Sequence, residues 1–273
     1  MKRKIKIAHI STICFFSICV LGYSSEKEFI DKIRNIIEHL TPNEGVYINA
    51  EYGFSMDYQD KEIKDMNFRR KAEIFFLNNK IKCVYDTGDE YYIDINNKEI
   101  NSYTPSEKWI RRQKIEGHKV YDYLPNFCRD GLMPWLFLEI KLKLNSEDPD
   151  ARYTCNPKDR VYTVSERKVQ VDTIYDCGKD AASKSHYIIE FKKYEGKNVI
   201  YRYYLENEYI KNKGSCKIRA TSDRKFLDWK NYGWVMLPQS MREVSARTEY
   251  ENEKQARGET NYTREDYFKI IEV

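Results

Sequence analysis

From residue 45 the chain reads GVYINAEYGFSMDY, with Val46, Ile48, Ala50, Tyr52, Phe54, Met56 and Tyr58 at every second place. Asn49, Glu51, Ser55 and Asp57 fill most of the other face. A period of two predicts a strand with one apolar side. Thirteen residues at about 3.3 Å each span roughly 43 Å, and a typical strand has only about 5–6 residues. A strand this long is expected to bend around something, or to carry a bulge near Gly53. The stretch before it, SSEKEFIDKIRNIIEHL, has the other period. Phe29, Ile30, Ile33, Ile36, Ile37 and Leu40 form one stripe at helical spacing, and Ser25 with Glu28 makes a capping box. A helix is predicted over 26–40, stopped by TPNEG.

Alternation continues after the first strand. Strands are predicted over 66–77, 81–86, 90–95 and 98–104, joined by Asn78-Asn79, Thr87-Gly88-Asp89 and Asn96-Asn97, residues suited to tight turns. This reads as an antiparallel up-and-down meander. The run YDYLPNFCRDGLMPWLFLEIKLKLN (121–145) breaks the pattern. Pro134 suits a first helical turn, so a short apolar helix is predicted over 133–143. It is too short to span a bilayer, which takes about 20 residues, and must lie on something apolar. Strands resume over 160–166, 168–176, 186–194 and 198–207. The segment 233–250 leads through a charged turn near Gly258 to a last strand over 267–273. The expectation is ten or eleven strands and two or three helices. The connections are too short for parallel crossovers, so the fold class is mainly β (α+β) and antiparallel. The 23 tyrosines agree with this, since tyrosine packs well on half-buried sheet.

The N-terminus sets the expected compartment. MKRKIK followed by IAHISTICFFSICVL and the small residues of GYSS is the pattern of a signal peptide. Residues 1–22 are assigned to it, and 23–273 to a single soluble domain, exported and periplasmic. Four of the 47 basic residues (Lys2, Arg3, Lys4, Lys6) lie in the signal, which leaves 43 against 43 acidic ones. A neutral mature chain has no global attraction to nucleic acid. Its five cysteines, Cys83, Cys128, Cys155, Cys177 and Cys216, allow two disulfides and one free thiol, with Cys155–Cys177 the favoured bridge.

Catalytic signatures are scarce. His39, His118 and His186 form no HExxH or i, i+4 pair, and no metal site or cofactor is expected. There is no GxSxG, Walker loop or GxGxxG. Cys128 and His118 could form a thiol–imidazole pair, although a buried or bridged cysteine fits the apolar run better. Arg69-Arg70 and Arg111-Arg112 could hold anionic groups, or simply be solvated. Asn261-Tyr-Thr263 is a glycosylation sequon, meaningful only in a eukaryotic secretory route.

The order of elements carries a resemblance. An amphipathic helix precedes long alternating strands. RRKAEIFFLNNKIKCVYDTGDEYYIDINNKEINSY joins an arginine-bearing strand to a turn glycine, an aromatic pair and an asparagine turn. A helical insertion follows, and Gly233, Leu237 and Pro238 form a late G-x-x-x-Leu-Pro before the closing hairpin. This resembles the LolA/LolB-like lipoprotein-carrier superfamily. In place of that family's Arg-Pro, Arg70 is followed by Lys71. The resemblance implies an incomplete, half-open antiparallel β-barrel around an apolar cavity, closed by helices. It implies lipid or an acylated protein as ligand, an envelope membrane protein as a further partner, and no catalysis. Tyr52, Phe54, Met56, Phe68, Ile74 and Phe76 would line the wall, and Trp135, Phe137 and Leu138 the lid. The same stripes also fit an ordinary sandwich core without a cavity. The alternative functions are a sensor or interaction module of the same fold and, behind it, a hydrolase.

Overall fold

The structure is a computed structural model. It describes residues 24–42, 44–58, 66–115, 124, 128, 132–147, 156–178, 181–211, 216–233, 235–251 and 255–272. The expected signal peptide lies outside them.

Helix α1, Glu26–Leu40, spans the predicted residues. Ser25 Oγ accepts from the Glu28 N–H (3.1 Å), and the Glu28 carboxylate accepts from the Ser25 N–H (2.8 Å). The capping box therefore satisfies two backbone donors that the first turn leaves open. Phe29, Ile33, Ile36 and Leu40 form the buried stripe. Each such side chain contributes about 1.5–3 kcal/mol relative to remaining exposed.

The described residues form fifteen strands, of which β1 (Val46–Tyr58), β2 (Met66–Leu77), β3 (Lys80–Tyr85), β4 (Glu90–Asp94), β5 (Glu99–Thr104) and β6 (Trp109–Lys114) precede helix α2 (Pro134–Glu147). After it come β7 (Asn156–Val164), β8 (Lys168–Asp176), β9 (Ala181–Tyr194), β10 (Lys197–Lys211), β11 (Cys216–Leu227), β12 (Lys230–Asn231), β13 (Met236–Leu237), β14 (Ser240–Glu251) and β15 (Gln255–Glu272). β12 and β13 pair only with each other. The other strands form one sheet of 13, in the order β6-β5-β4-β3-β2-β1-β15-β14-β11-β10-β9-β8-β7, antiparallel throughout. The sheet does not close on itself. It is a half-open barrel with β6 and β7 as its margins. β7 is covered in part: Ser24 donates its N–H to the Tyr162 carbonyl (2.9 Å), and its Oγ accepts from the Val164 N–H (3.0 Å).

Both helices lie on the inner face of this sheet and pack on each other. Phe29 of α1 meets Tyr162 and Tyr187, with ring centroids 5.3 and 6.4 Å away. Trp135 of α2 meets Phe76 at 5.5 Å, and Phe137 meets Tyr203 and Phe226 at 5.2 and 5.4 Å. The core is this one layer between helices and sheet.

Several boundaries differ from the sequence reading. α2 runs on to Glu147, four residues beyond the prediction. β6 and β11 are additional strands. β15 is an 18-residue strand that fills much of the expected charged turn. The irregularity in β1 falls at Asn49–Ala50 against β15, not at Gly53. Gly53 pairs with Arg69 in an unbroken β1–β2 register, so no extra residue is accommodated there.

Candidate functional site

The inner face is built row by row from the strand register. In the upper rows Val46 lies beside Phe76 and Ile81, then Ile93 and Ile100, while Ile48 lies beside Ile74 and Cys83. All of these are buried. The predicted wall and lid residues therefore share one face. Tyr52, Ile74, Phe76, Trp135, Phe137 and Leu138 are buried in the common core, and Phe54, Met56 and Phe68 are half-buried at its margin. Phe54 stacks on Phe68 at 5.4 Å. Tyr58, the last position of the stripe, has no described side chain.

Beneath Tyr52 the wall holds a group of buried hydroxyls and thiols. Burial pushes Cys83 up to about 12, against a hydrogen bond from Tyr85 that lowers it. Burial likewise raises the phenols of Tyr52 and Tyr85. A thiol with such a pKa carries almost no thiolate at neutral pH, and the thiolate is the nucleophile. Cys128 is also buried and outside any disulfide. Its candidate partner, His118, lies outside the described residues. Cys177 is disulfide-bonded, and Cys155, its expected partner, is likewise outside them. His39 turns its Nδ1 to the Asn35 carbonyl at the end of α1, and His186 pairs with Asp172. Among the described residues no three His, Cys, Asp or Glu side chains are grouped to hold a metal ion. Arg112 meets Glu99 at 3.3 Å, and Arg70 lies over Phe68 at 5.3 Å.

Next to the apolar rows runs a charged belt that the sequence reading missed. In register, Met56, Arg264, Glu243, Arg224 and Tyr203 lie side by side on β1, β15, β14, β11 and β10. Glu243 is 6% exposed. Its carboxylate accepts from Ser222 Oγ (2.8 Å), Ser245 Oγ (2.8 Å) and Arg224 Nη2 (2.9 Å). Burial alone would raise its pKa. The Arg224 guanidinium and the bonds from Ser245, Ser222 and Arg224 outweigh that, and the carboxyl titrates below its usual value. Arg264 donates to Asp266, itself 4% exposed, at 2.6 Å. The two guanidiniums also face the apolar side. Arg264 lies over the Phe54 ring at 4.6 Å, and Arg224 over Phe137 at 5.9 Å. The belt thus touches both β1, at Phe54, and α2, at Phe137, with two cations and two carboxylates.

The inner face can therefore offer hydrocarbon-compatible surface on one side of the belt and hydrogen-bonding groups at it. The signal for the belt was present as alternation in ATSDRKF (220–226), where Ala220, Ser222, Arg224 and Phe226 share a face. The alternation is polar on both faces, and a hydrophobicity pattern does not register it.

No family model matches the chain, and no curated protein matches it in sequence. Among solved structures it is similar to a LolA superfamily protein, NE2245 from Nitrosomonas europaea, at 11% identity and a TM-score of 0.36, covering 92% of this chain and 96% of that one. It is also similar to the ywiB protein from Bacillus subtilis, at 8% identity and a TM-score of 0.20, covering 85% and 96%. These are distant likenesses of fold.

Proposed function

We propose that the chain is an exported, non-catalytic binding protein that holds a lipid, or the acyl chain of a lipid-modified protein, on the inner face of its half-barrel. One observation carries this reading. Pro134, Trp135, Leu136, Phe137 and Leu138 are consecutive and all buried, so every side of the first turn of α2 is apolar and enclosed. A helix apolar all round needs apolar surface all round. α2 occupies the inner face as hydrocarbon would, with Phe76, Tyr203 and Phe226 beneath it. Displacement of α2 would uncover an apolar trough bounded by the Arg224–Glu243 belt, which suits an acyl chain. The half-buried Phe54, Met56 and Phe68 are its entrance.

Native mass spectrometry of protein purified without detergent tests this, together with uptake of a fluorescent fatty acid. An adduct of lipid mass is expected, with uptake reduced about tenfold in Phe68→Asp. A clean apo mass with no uptake overturns the proposal. A second reading, a module that docks an envelope membrane protein, draws on β6. That margin strand exposes Trp109 (49%) and Ile110 (72%), and neighbouring β5 exposes Tyr103 (36%). Cross-linking through Ile110→Cys in intact cells separates the two, since a lipid carrier does not require a protein adduct there.

A further inference from the structure

Away from the inner trough, the β9–β10 hairpin and the β7–β8 turn enclose a pocket of about 440 Å³. It is lined by Glu166, Arg167, Phe191, Lys192, Asn198 and Tyr201, with Lys193 at the rim. The size lies within the roughly 300–1,000 Å³ of small-molecule sites.

Two features of the backbone build it. The β9–β10 register skips between Ile200 and Arg202, so Tyr201 is an extra residue. A bulge of this kind re-aims a side chain, and here Tyr201 is turned into the pocket. The opposite wall is pinned from three sides. Arg167 accepts the Phe191 N–H at its carbonyl (2.8 Å), Ser165 donates its N–H to Lys168 (2.8 Å), and Lys32 of α1 donates to the Glu166 carbonyl (2.9 Å). The pocket therefore stands on fixed backbone.

Its chemistry is an aromatic floor under a cationic rim. Phe191 is 4% exposed, and Tyr201 is half-buried. Three cations stand against the single carboxylate of Glu166. Lys193 is 3.8 Å from that carboxylate, with both side chains largely exposed, an arrangement that contributes little and yields easily to a better partner. Lys192 lies over the Tyr201 ring at 5.0 Å. The Arg167 guanidinium has no hydrogen bond or ion pair among the described residues. A planar, permanently charged fork is suited to an oxyanion, and Asn198 adds an amide to the lining.

We propose that this pocket binds a phosphate group carried on an apolar body. The phosphate would meet Arg167 and Lys192, and the body would rest on Phe191 and Tyr201. A free phosphate ester and a phospholipid headgroup share this chemistry, and separate probes distinguish them. Phenyl phosphate is titrated into the purified protein and followed by amide chemical shifts. Retention on vesicles of phosphatidylglycerol is compared with phosphatidylcholine.

Phenyl phosphate is expected to shift the amides of Arg167, Lys192 and Tyr201 saturably, at least tenfold more tightly than inorganic phosphate or phenol. Arg167→Ala and Tyr201→Ala are each expected to weaken it tenfold or more. Arg167 and Lys192 are exposed, so their variants fold, and unchanged fatty-acid uptake confirms that the inner trough is intact. Retention on phosphatidylglycerol vesicles that is lost in Arg167→Ala, without phenyl phosphate binding, assigns the headgroup as the source and upholds the proposal. It is overturned if neither probe binds, if binding survives both Arg167→Ala and Lys192→Ala, or if phenol binds as tightly as phenyl phosphate.

Discussion

Replacing Glu243 tests whether the charged belt holds the sheet together. The native carboxylate receives three hydrogen bonds at 2.8–2.9 Å while 6% exposed. Glu243→Ala removes the acceptor and leaves Arg224 facing a void, and breaking a buried ion pair in this way costs about 3–5 kcal/mol. Glu243→Gln behaves differently. If its amide oxygen takes the place that faces Arg224, its NH₂ faces Ser222 and Ser245, and their hydroxyls can rotate to accept. Every hydrogen bond survives, and only the charge is lost. A bond to a charged group contributes about 1.5–3 kcal/mol against about 0.5–1.5 for a neutral one, so the expected loss is about 1–2 kcal/mol. Urea unfolding followed by tryptophan fluorescence reads it. With a slope of about 2 kcal/mol/M, the glutamine variant's midpoint falls by roughly 0.5–1 M. The pH dependence supplies a second check. A carboxyl whose folded pKa is depressed stabilises the fold above its unfolded value, and that stability disappears as pH falls through the folded value. The Glu243→Gln difference should therefore be full at pH 7, begin to shrink near the usual value of 4.5, and vanish below the depressed one. A glutamine variant as costly as the alanine variant, or a difference unchanged from pH 7 to pH 3, refutes this reasoning.

Three further outcomes are expected. Phe137→Ala removes a ring that is 2% exposed and enclosed by Tyr203, Phe226 and Arg224; thermal or urea unfolding should show a loss of about 3–5 kcal/mol. Ser25→Ala deletes the capping box of α1 and should cost about 1 kcal/mol in the same assay, with the helix retained by circular dichroism because its buried stripe is untouched. Cys83 and Cys128 are buried thiols outside any disulfide, with Cys83 held up to about 12; iodoacetamide at pH 8 should leave both unmodified in the native protein and label both in urea, as counted by peptide mass spectrometry.

Much of the fold was legible because α1, β1 and β2 each bury one face only. Phe29, Ile33, Ile36 and Leu40 keep the helical period, and Val46, Ile48, Ala50 and Tyr52 keep the period of two. The strands that escaped have no apolar face to report. β6 (WIRRQK) is exposed nearly throughout. The two faces of β11 are both polar for most of its length, one through the Arg202–Asp223 pair and the other through the Glu243 network. β15 shows apolar alternation only near its end, at Phe268 and Ile270. Its earlier inner-face residues, Arg264 and Asp266, belong to the belt. Hydrophobic patterning found the buried residues of β1, β2 and α2 and missed the belt beside them, because charged groups that satisfy one another, across strands as Arg224 and Glu243 do or along one as Arg264 and Asp266 do, carry no apolar period.

On the proposed reading, the belt also limits what the trough could accept. Arg224 and Arg264 are each held by a carboxylate on the inner face, Glu243 and Asp266. A ligand chain that entered between them would separate buried opposite charges, a loss of about 3–5 kcal/mol for each pair. Burying one methylene returns only about 0.8 kcal/mol, so four or more methylenes would be needed to offset each broken pair. On the proposed reading, hydrocarbon therefore extends only as far as the belt. Any polar end of the ligand would stop there, beside Ser222, Ser245 and the two guanidiniums. Depth would be set by charge pairing, and the identity of the apolar segment by the space that α2 yields.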